Sequence, residues 1–267
     1  MSNHYKNKSI WITGASGGIG RALAKGLAAQ GARLILSAPL MDTEALHSLI
    51  AECQNGQEHR AVPFDLTSLD DINRAADEVL SSNSRINILI NNAGMTHRSL
   101  IMDTDIQIDR ILMEINYLGP LALTKRVLPG MVKQGAGQIV VISSVLGLIA
   151  TPQRSAYIAA KHAMTGFYEA LRSEVSAKGI DITMVFPGFV KTDIAKNAFT
   201  GSGGRHGKAD PGQENAMTPE SFAARVIRGV SARKERLMIA GKEKILVYLT
   251  RLSPALVSQI VRRIRVT

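Results

Sequence analysis

Tyr157 and Lys161 lie four residues apart in SAYIAAK (155–161), a spacing that puts both on one face of a helix. Ser144 follows the β-branched run IVVI (139–142), which reads as a buried strand. A strand end and a helix face can bring a hydroxyl, a phenol and an ammonium around one small polar group. Proton transfer is the chemistry open to such a trio. A free tyrosine titrates near about 10 and is a poor acid or base at neutral pH. A neighbouring ammonium favours the phenolate and brings that value closer to the useful range. Ser144 could hold a carbonyl or alcohol oxygen against the phenol while another agent moves a hydride. A Tyr-x-x-x-Lys pair also arises by chance on surface helices, so the rest of the chain must supply the context.

That context is an alternation of strands and helices. KSIWIT (8–13) reads as a strand, followed by the turn Gly14-Ala15-Ser16-Gly17-Gly18-Ile19-Gly20 and a helix ending at Gly31. Glycines let the backbone approach a pyrophosphate, and a helix N-terminus supplies N–H donors and a positive dipole end. The spacing here is G-x-x-x-G-x-G. Further strands are expected at about 32–37, 60–64, 87–90, 138–143, 180–186 and 236–240. Helices are expected at about 42–54, 68–82, 103–133 with a break near Gly119-Pro120, 153–178 and 218–230. A last helical segment is broken around Pro254. This order predicts an α/β fold, a doubly wound parallel sheet of Rossmann type in one domain.

Composition narrows the class. A chain of 267 residues with one cysteine, Cys53, can form neither an intrachain disulfide nor a cysteine-rich metal site. His97, His162 and His206 do not have a metal-site spacing. The start lacks the apolar region of a secretory signal, and the longest apolar stretch, within 139–150, is too short to span a bilayer. A cytoplasmic body is expected. The net charge of +10 is concentrated: from Arg225 to Thr267 there are eleven Arg and Lys against Glu235 and Glu243. Residues 196–217, rich in glycine, read as a substrate lid at a strand's carboxyl end.

Taken in order, Thr13-Gly14-Ala15-Ser16-Gly17-Gly18-Ile19-Gly20, Asp65, Asn91-Asn92-Ala93-Gly94, Asn116, Ser144, Tyr157 with Lys161, and Pro187-Gly188 with Thr192 resemble the short-chain dehydrogenase/reductase family. The resemblance spans residues 13–192. It implies that Tyr157 is the catalytic acid/base and that Lys161 lowers its pKa and holds the nicotinamide ribose. It implies that Ser144 orients the substrate oxygen and that Asn116 holds a proton-relaying water. Ser144 is preferred to Ser143 because it lies thirteen residues before Tyr157, as in most of the family. Gly14, Ser16, Ile19 and Gly20 would cradle the pyrophosphate, and Asp65 with Leu66 would meet the adenine. Asn91, Ala93 and Gly94 would flank the adenosine side, Val190 and Thr192 would hold the carboxamide, and Ser37, Pro187 and Gly188 would also contact the cofactor. In the family Asn92 often stabilises the central strand, and Asn116 can maintain a helix kink.

Cofactor choice turns on the end of strand two, where Ser37-Ala38-Pro39 lacks both the acid of NAD-dependent members and the arginine of NADP-dependent ones. The missing acid favours NADP(H) over NAD(H), and Arg21 reads as a helix-surface residue. The stretch 91–192 looks closest to lipid-oriented members, among them retinoid, steroid and acyl- or alkyl-dihydroxyacetone-phosphate reductases, so a small hydrophobic carbonyl or alcohol substrate is expected. The chain divides into a catalytic body, 1–241, and a basic amphipathic segment, 242–267, that could contact a membrane surface peripherally or pack on the body. No nucleic-acid recognition motif is present, and a homo-dimer or tetramer is implied through 103–133 and 153–178. The rival reading is a dinucleotide-binding regulator or membrane-associated scaffold without turnover.

Overall fold

Alternation along the strands sets the layers. In the computed structural model, which describes residues 4–81, 85–210 and 216–262, seven parallel strands form one sheet. They are β1 (Ser9–Thr13), β2 (Arg33–Ser37), β3 (Arg60–Ala61), β4 (Ile88–Asn91), β5 (Gly137–Ile142), β6 (Ile180–Pro187) and β7 (Arg236–Ile239), in the order β3-β2-β1-β4-β5-β6-β7. Successive side chains point to opposite faces. Ile10 and Ile12 of β1, Ile88 and Ile90 of β4, and Val140 and Ile142 of β5 enter one core. Trp11, Leu89, Ile139 and Val141 enter the other. Helices α1 (Gly18–Ala28), α2 (Thr43–Glu52) and α7 (Pro219–Ser231) cover the first face. Helices α3 (Leu69–Ser81), α5 (Gly119–Gln134) and α6 (Ser155–Val175) cover the second. A sheet covered on both faces explains why the strands read as continuous apolar runs.

The chain reverses direction across the sheet between β1 and β4, the place where doubly wound folds bind ligands at the strands' carboxyl ends. A cavity of about 720 Å³ opens there.

Two expectations shift. Strand three, expected over 60–64, is only Arg60–Ala61, although Val62 and Phe64 still donate their N–H groups to Leu36 and Ala38. The break expected at Gly119-Pro120 sits one turn earlier. Helix α4 (Ile106–Met113) passes into a π-helical turn, Glu114–Leu118, and α5 starts at Gly119. Pro120 has no N–H to return to the Asn116 carbonyl, and the ladder widens so that Gly119 N–H reaches Glu114, five residues back.

Of the segment 196–217, expected to be a lid, residues 211–215 lie outside the described residues. The described part is a series of turns tied to the body: Phe199 N–H bonds Thr96, Arg98 N–H bonds Phe199, and Asp105 N–H bonds Gly201. The C-terminal segment forms α8 (Glu243–Leu252) and α9 (Pro254–Arg262), and residues 263–267 lie outside the described ones. No helix among the described residues is long and apolar enough to cross a membrane.

Candidate active site

Beyond the end of β5 the chain turns at Ser144, whose backbone is extended and whose Oγ accepts the Leu146 N–H (3.1 Å). One turn into α6, Tyr157 is buried against Val145, Leu146 and Ile149. Lys161 lies a turn further, its Nζ 5.7 Å from the centre of the Tyr157 ring and donating to the Ile142 carbonyl (3.1 Å). Ser144, Tyr157 and Lys161 all line the cavity, so the helix spacing and the strand end meet as the sequence implies.

Burial governs their electrostatics. It pushes the Tyr157 phenol above its ordinary value, against the Ser144 hydroxyl and the charges of Arg154 and Arg98, which all favour the phenolate. Burial also pulls the Lys161 ammonium down to about 7.

Asn116 sits in the π turn, fully buried. Its Nδ2 donates to the Met95 (2.8 Å) and Leu112 (2.9 Å) carbonyls, and its Oδ1 accepts the Met95 N–H (3.2 Å). It therefore clamps the loop after β4 to the kinked helix, beside the trio and not among the cavity-lining side chains. Gly94 permits the approach, because a Cβ there would lie 3.0 Å from Asn116 Oδ1 and 3.5 Å from Lys161 Nζ.

The other end of the cavity is lined by Gly14, Ser16, Ile19, Ser37, Asp65 and Leu66. Ala93, Gly94, Pro187, Gly188, Val190 and Thr192 line it as well. The start of α1 faces this space with no side-chain cap at Gly17 and no acid in its first turn. Free N–H donors at a positive helix end fit a pyrophosphate. Gly20 does not line the cavity. It lies beneath the turn, where a Cβ would meet the Gly14 carbonyl at 2.0 Å, so glycine is required for the helix to seat against the turn.

A second expected contact besides Gly20 is differently placed. The Asn91 side chain turns into the core, donating to Thr124 (2.9 Å) and Tyr168 (3.0 Å), and Asn91 is absent from the cavity wall. Period two explains it, for Asn91 follows the even-numbered β4 residues that face away from this core. Asn92 lines the cavity and ties the turn down, donating to the Thr13 and Gly14 carbonyls (both 3.0 Å). Ser37 borders the cavity, but its hydroxyl accepts the Trp11 indole N–H (2.9 Å).

Several residues went unread in the sequence. Asp42, just before α2, borders the cavity and accepts a hydrogen bond from Ser16 Oγ (2.8 Å). Arg98, Arg154 and Asp210, the last in the glycine-rich 196–217 segment, form a buried ion cluster on the cavity wall. Glu243 and Leu246 bring α8 into the wall, and Glu243 Oε1 accepts the Phe189 N–H (3.4 Å). Only Arg154, adjacent to SAYIAAK, had a sequence signal that could have found it. Arg21 is held by Glu52 on the helix surface, as read.

Residues 8–202 match the family model described as short chain dehydrogenase. A curated relative, "Dehydrogenase/reductase SDR family member 7B" of Xenopus tropicalis, is 44% identical over 255 residues, covering 92% of this chain and 82% of that one. A solved short-chain dehydrogenase from Streptomyces avermitilis superposes with a TM-score of 0.80 at 29% identity, covering 96% of each chain. One from Sphingobium yanoikuyae, in complex with NADPH, gives 0.77 at 28% identity, covering 97% of this chain and 96% of that one. The chain belongs to the short-chain dehydrogenase/reductase family. It is an oxidoreductase of that family, acting on CH–OH groups with a nicotinamide dinucleotide.

Proposed function

We propose that this oxidoreductase interconverts a ketone and a secondary alcohol on a largely hydrophobic substrate, with NADPH the preferred reductant. The observation that carries the reading is the convergence of Ser144, Tyr157 and Lys161 on a cavity whose far end holds an uncapped helix N-terminus. A bound nicotinamide would supply the hydride. Tyr157 gives its phenolic proton to the oxygen, which its raised pKa keeps available, and the Ser144 hydroxyl holds that oxygen in place. Lys161, when charged, favours the phenolate left behind. Asn116 fixes the loop and kink around Lys161 and orders the path by which a proton returns. Gly14, Ser16 and Ile19 would hold the pyrophosphate, Asp65 and Leu66 the adenine, and Val190 and Thr192 the carboxamide.

Preference for NADPH is supported by the absence of an acid in Ser37-Ala38-Pro39 and by the NADPH complex of the Sphingobium relative. Asp42 opposes it, since a carboxylate there would repel a 2′-phosphate. A hydrophobic substrate is supported by the apolar wall of Met95, Val145, Leu146, Ile149, Phe189 and Leu246. The deciding experiment is a titration with NADPH and NADH followed by Trp11 fluorescence, then NADPH oxidation with lipophilic ketones. Trp11 touches Ser37 and Phe64, both on the cavity wall, so it should report binding. Tyr157→Phe should cut turnover about 10²–10⁴-fold and leave cofactor binding intact. Cofactor binding with no ketone-dependent oxidation would instead support a binder without turnover.

The same reading includes peripheral membrane contact through α8 and α9. Ile245, Tyr248, Leu256 and Leu252, the last 83% exposed, stand beside Lys242, Lys244 and Arg251. Leu252→Glu should abolish co-sedimentation with anionic vesicles. Truncation is a poorer test, because Glu243 and Leu246 belong to the cavity wall. Assembly into a dimer or tetramer through α4–α5 and α6 is checked by light scattering.

A further inference from the structure

Among the described residues lining the cavity three are cationic: Lys161, Arg98 and Arg154. Lys161 is engaged with Ile142 and Tyr157. Arg98 is fully engaged. Its Nε and Nη2 take both oxygens of Asp210 (3.1 and 2.6 Å), and its Nη1 donates to Thr96 Oγ1 (3.0 Å) and the His97 carbonyl (2.7 Å).

Arg154 is different. Its Nη2 donates to Asp210 Oδ2 (3.0 Å), an oxygen that Arg98 already uses, and its Nε is buried without a hydrogen-bond partner. The three side chains are only 9%, 5% and 11% exposed for Arg154, Arg98 and Asp210. Two guanidiniums therefore share one carboxylate in a desolvated site, leaving one net positive charge within this trio. A buried cation without full compensation is costly, and Arg154 keeps one N–H without an acceptor. Thr151, a few residues upstream on the same wall, has a buried hydroxyl that also lacks a partner. Arg154 is near enough to Tyr157 for its charge to favour the phenolate.

We infer that Arg154 and Thr151 form a subsite for an anionic group on the substrate, a carboxylate or a phosphate ester, carried a short distance from the reacting oxygen. Asp210 neutralises one of the two arginines and fastens the lid, and the substrate's anion neutralises the other. The inference rests on the dehydrogenase reading and deepens it: the substrate is amphiphilic, with an apolar body and a charged end.

The test is calorimetric titration of the full chain, with NADPH and without it, using octanoate, octyl phosphate and 1-octanol as probes of equal tail. Either anion should bind at least about tenfold tighter than octanol, the size expected of one charge-assisted contact. The tighter anion names the head group. Arg154→Gln should erase the preference and leave octanol binding unchanged. Thr151→Val, a gentler change, should reduce it several-fold, and Arg154→Lys should restore part of it. Equal affinities for all three probes, no anion binding, or a variant that weakens octanol as much as the anions would overturn the inference and leave the arginines as a lid fastening alone. Absence of NADPH binding would sink the dehydrogenase reading separately, since the cofactor-free titrations still report on the anion site.

Discussion

Ser143 and Ser144 are adjacent, both buried and both on the cavity wall, yet their hydroxyls are differently placed. Ser144 Oγ accepts the Leu146 N–H and is thereby oriented, and it is the hydroxyl that hydrogen-bonds the Tyr157 phenol and favours its ionised form. Ser143 Oγ has no partner and no such influence. Ser144→Ala should lower ketone turnover about 10²-fold, the cost of one pre-placed donor, while Ser143→Ala leaves it nearly unchanged. Steady-state kinetics on the two variants checks the choice, and reversed effects would refute it. At the cofactor end, Asp42→Asn removes a negative charge beside Ser16 and should raise the ratio of NADPH to NADH affinity, measured by parallel fluorescence titrations.

At the scale of elements, Asn91 ties β4 to α5 and α6 through Thr124 and Tyr168, and the Tyr168 hydroxyl continues to the Pro120 carbonyl (3.2 Å). This network sits just behind the Asn116 kink, so it braces the helix that carries Tyr157. Asn91→Leu breaks two buried hydrogen bonds, while Thr124 and Tyr168 still bond each other (2.7 Å). It should destabilise the fold by about 2–3 kcal/mol in urea titration while NADPH affinity stays within a few-fold of the parent. A large loss of cofactor affinity at unchanged stability would restore Asn91 to the cofactor site. The α1 turn is the counter-case: its glycine spacing was readable because the Gly20–Gly14 approach admits no other residue.

For the whole molecule, burial of Lys161 makes stability depend on pH. Its folded value of about 7 lies below the unfolded value of 10.5. Between these values the unfolded chain holds the proton and the folded chain does not, so stability rises with pH across that window. The full cost is present below about pH 7, and its size is on the order of 5 kcal/mol. Lys161→Met should remove this rise from the cofactor-free protein. Chemical denaturation of both proteins from pH 6.5 to 9.5 (about the usable range) gives the difference, and parallel curves would show that Lys161 stays charged when buried.

Local pattern along the chain was enough for the sheet, the helices on both faces, and the placing of Tyr157 and Lys161 on one helix face, while Ser144 came from the family resemblance. The local readings depend on short-range periodicity: period two sorts the strands, and a spacing of four stacks the helix pair. The glycine turn belongs to the same class, since close backbone approach leaves a residue-type signature. Tertiary structure alone decided which of Asn91 and Asn92 faces the cavity, because a single-residue step at a strand end selects the face. It alone joined Arg98, Arg154 and Asp210, separated by 56 and 112 residues along the chain, and brought Glu243 of the last helices to the wall. Charged side chains carry no periodic signal of the partner they will meet. Their pairing is fixed only when the packed sheet and helices bring distant loops to one edge.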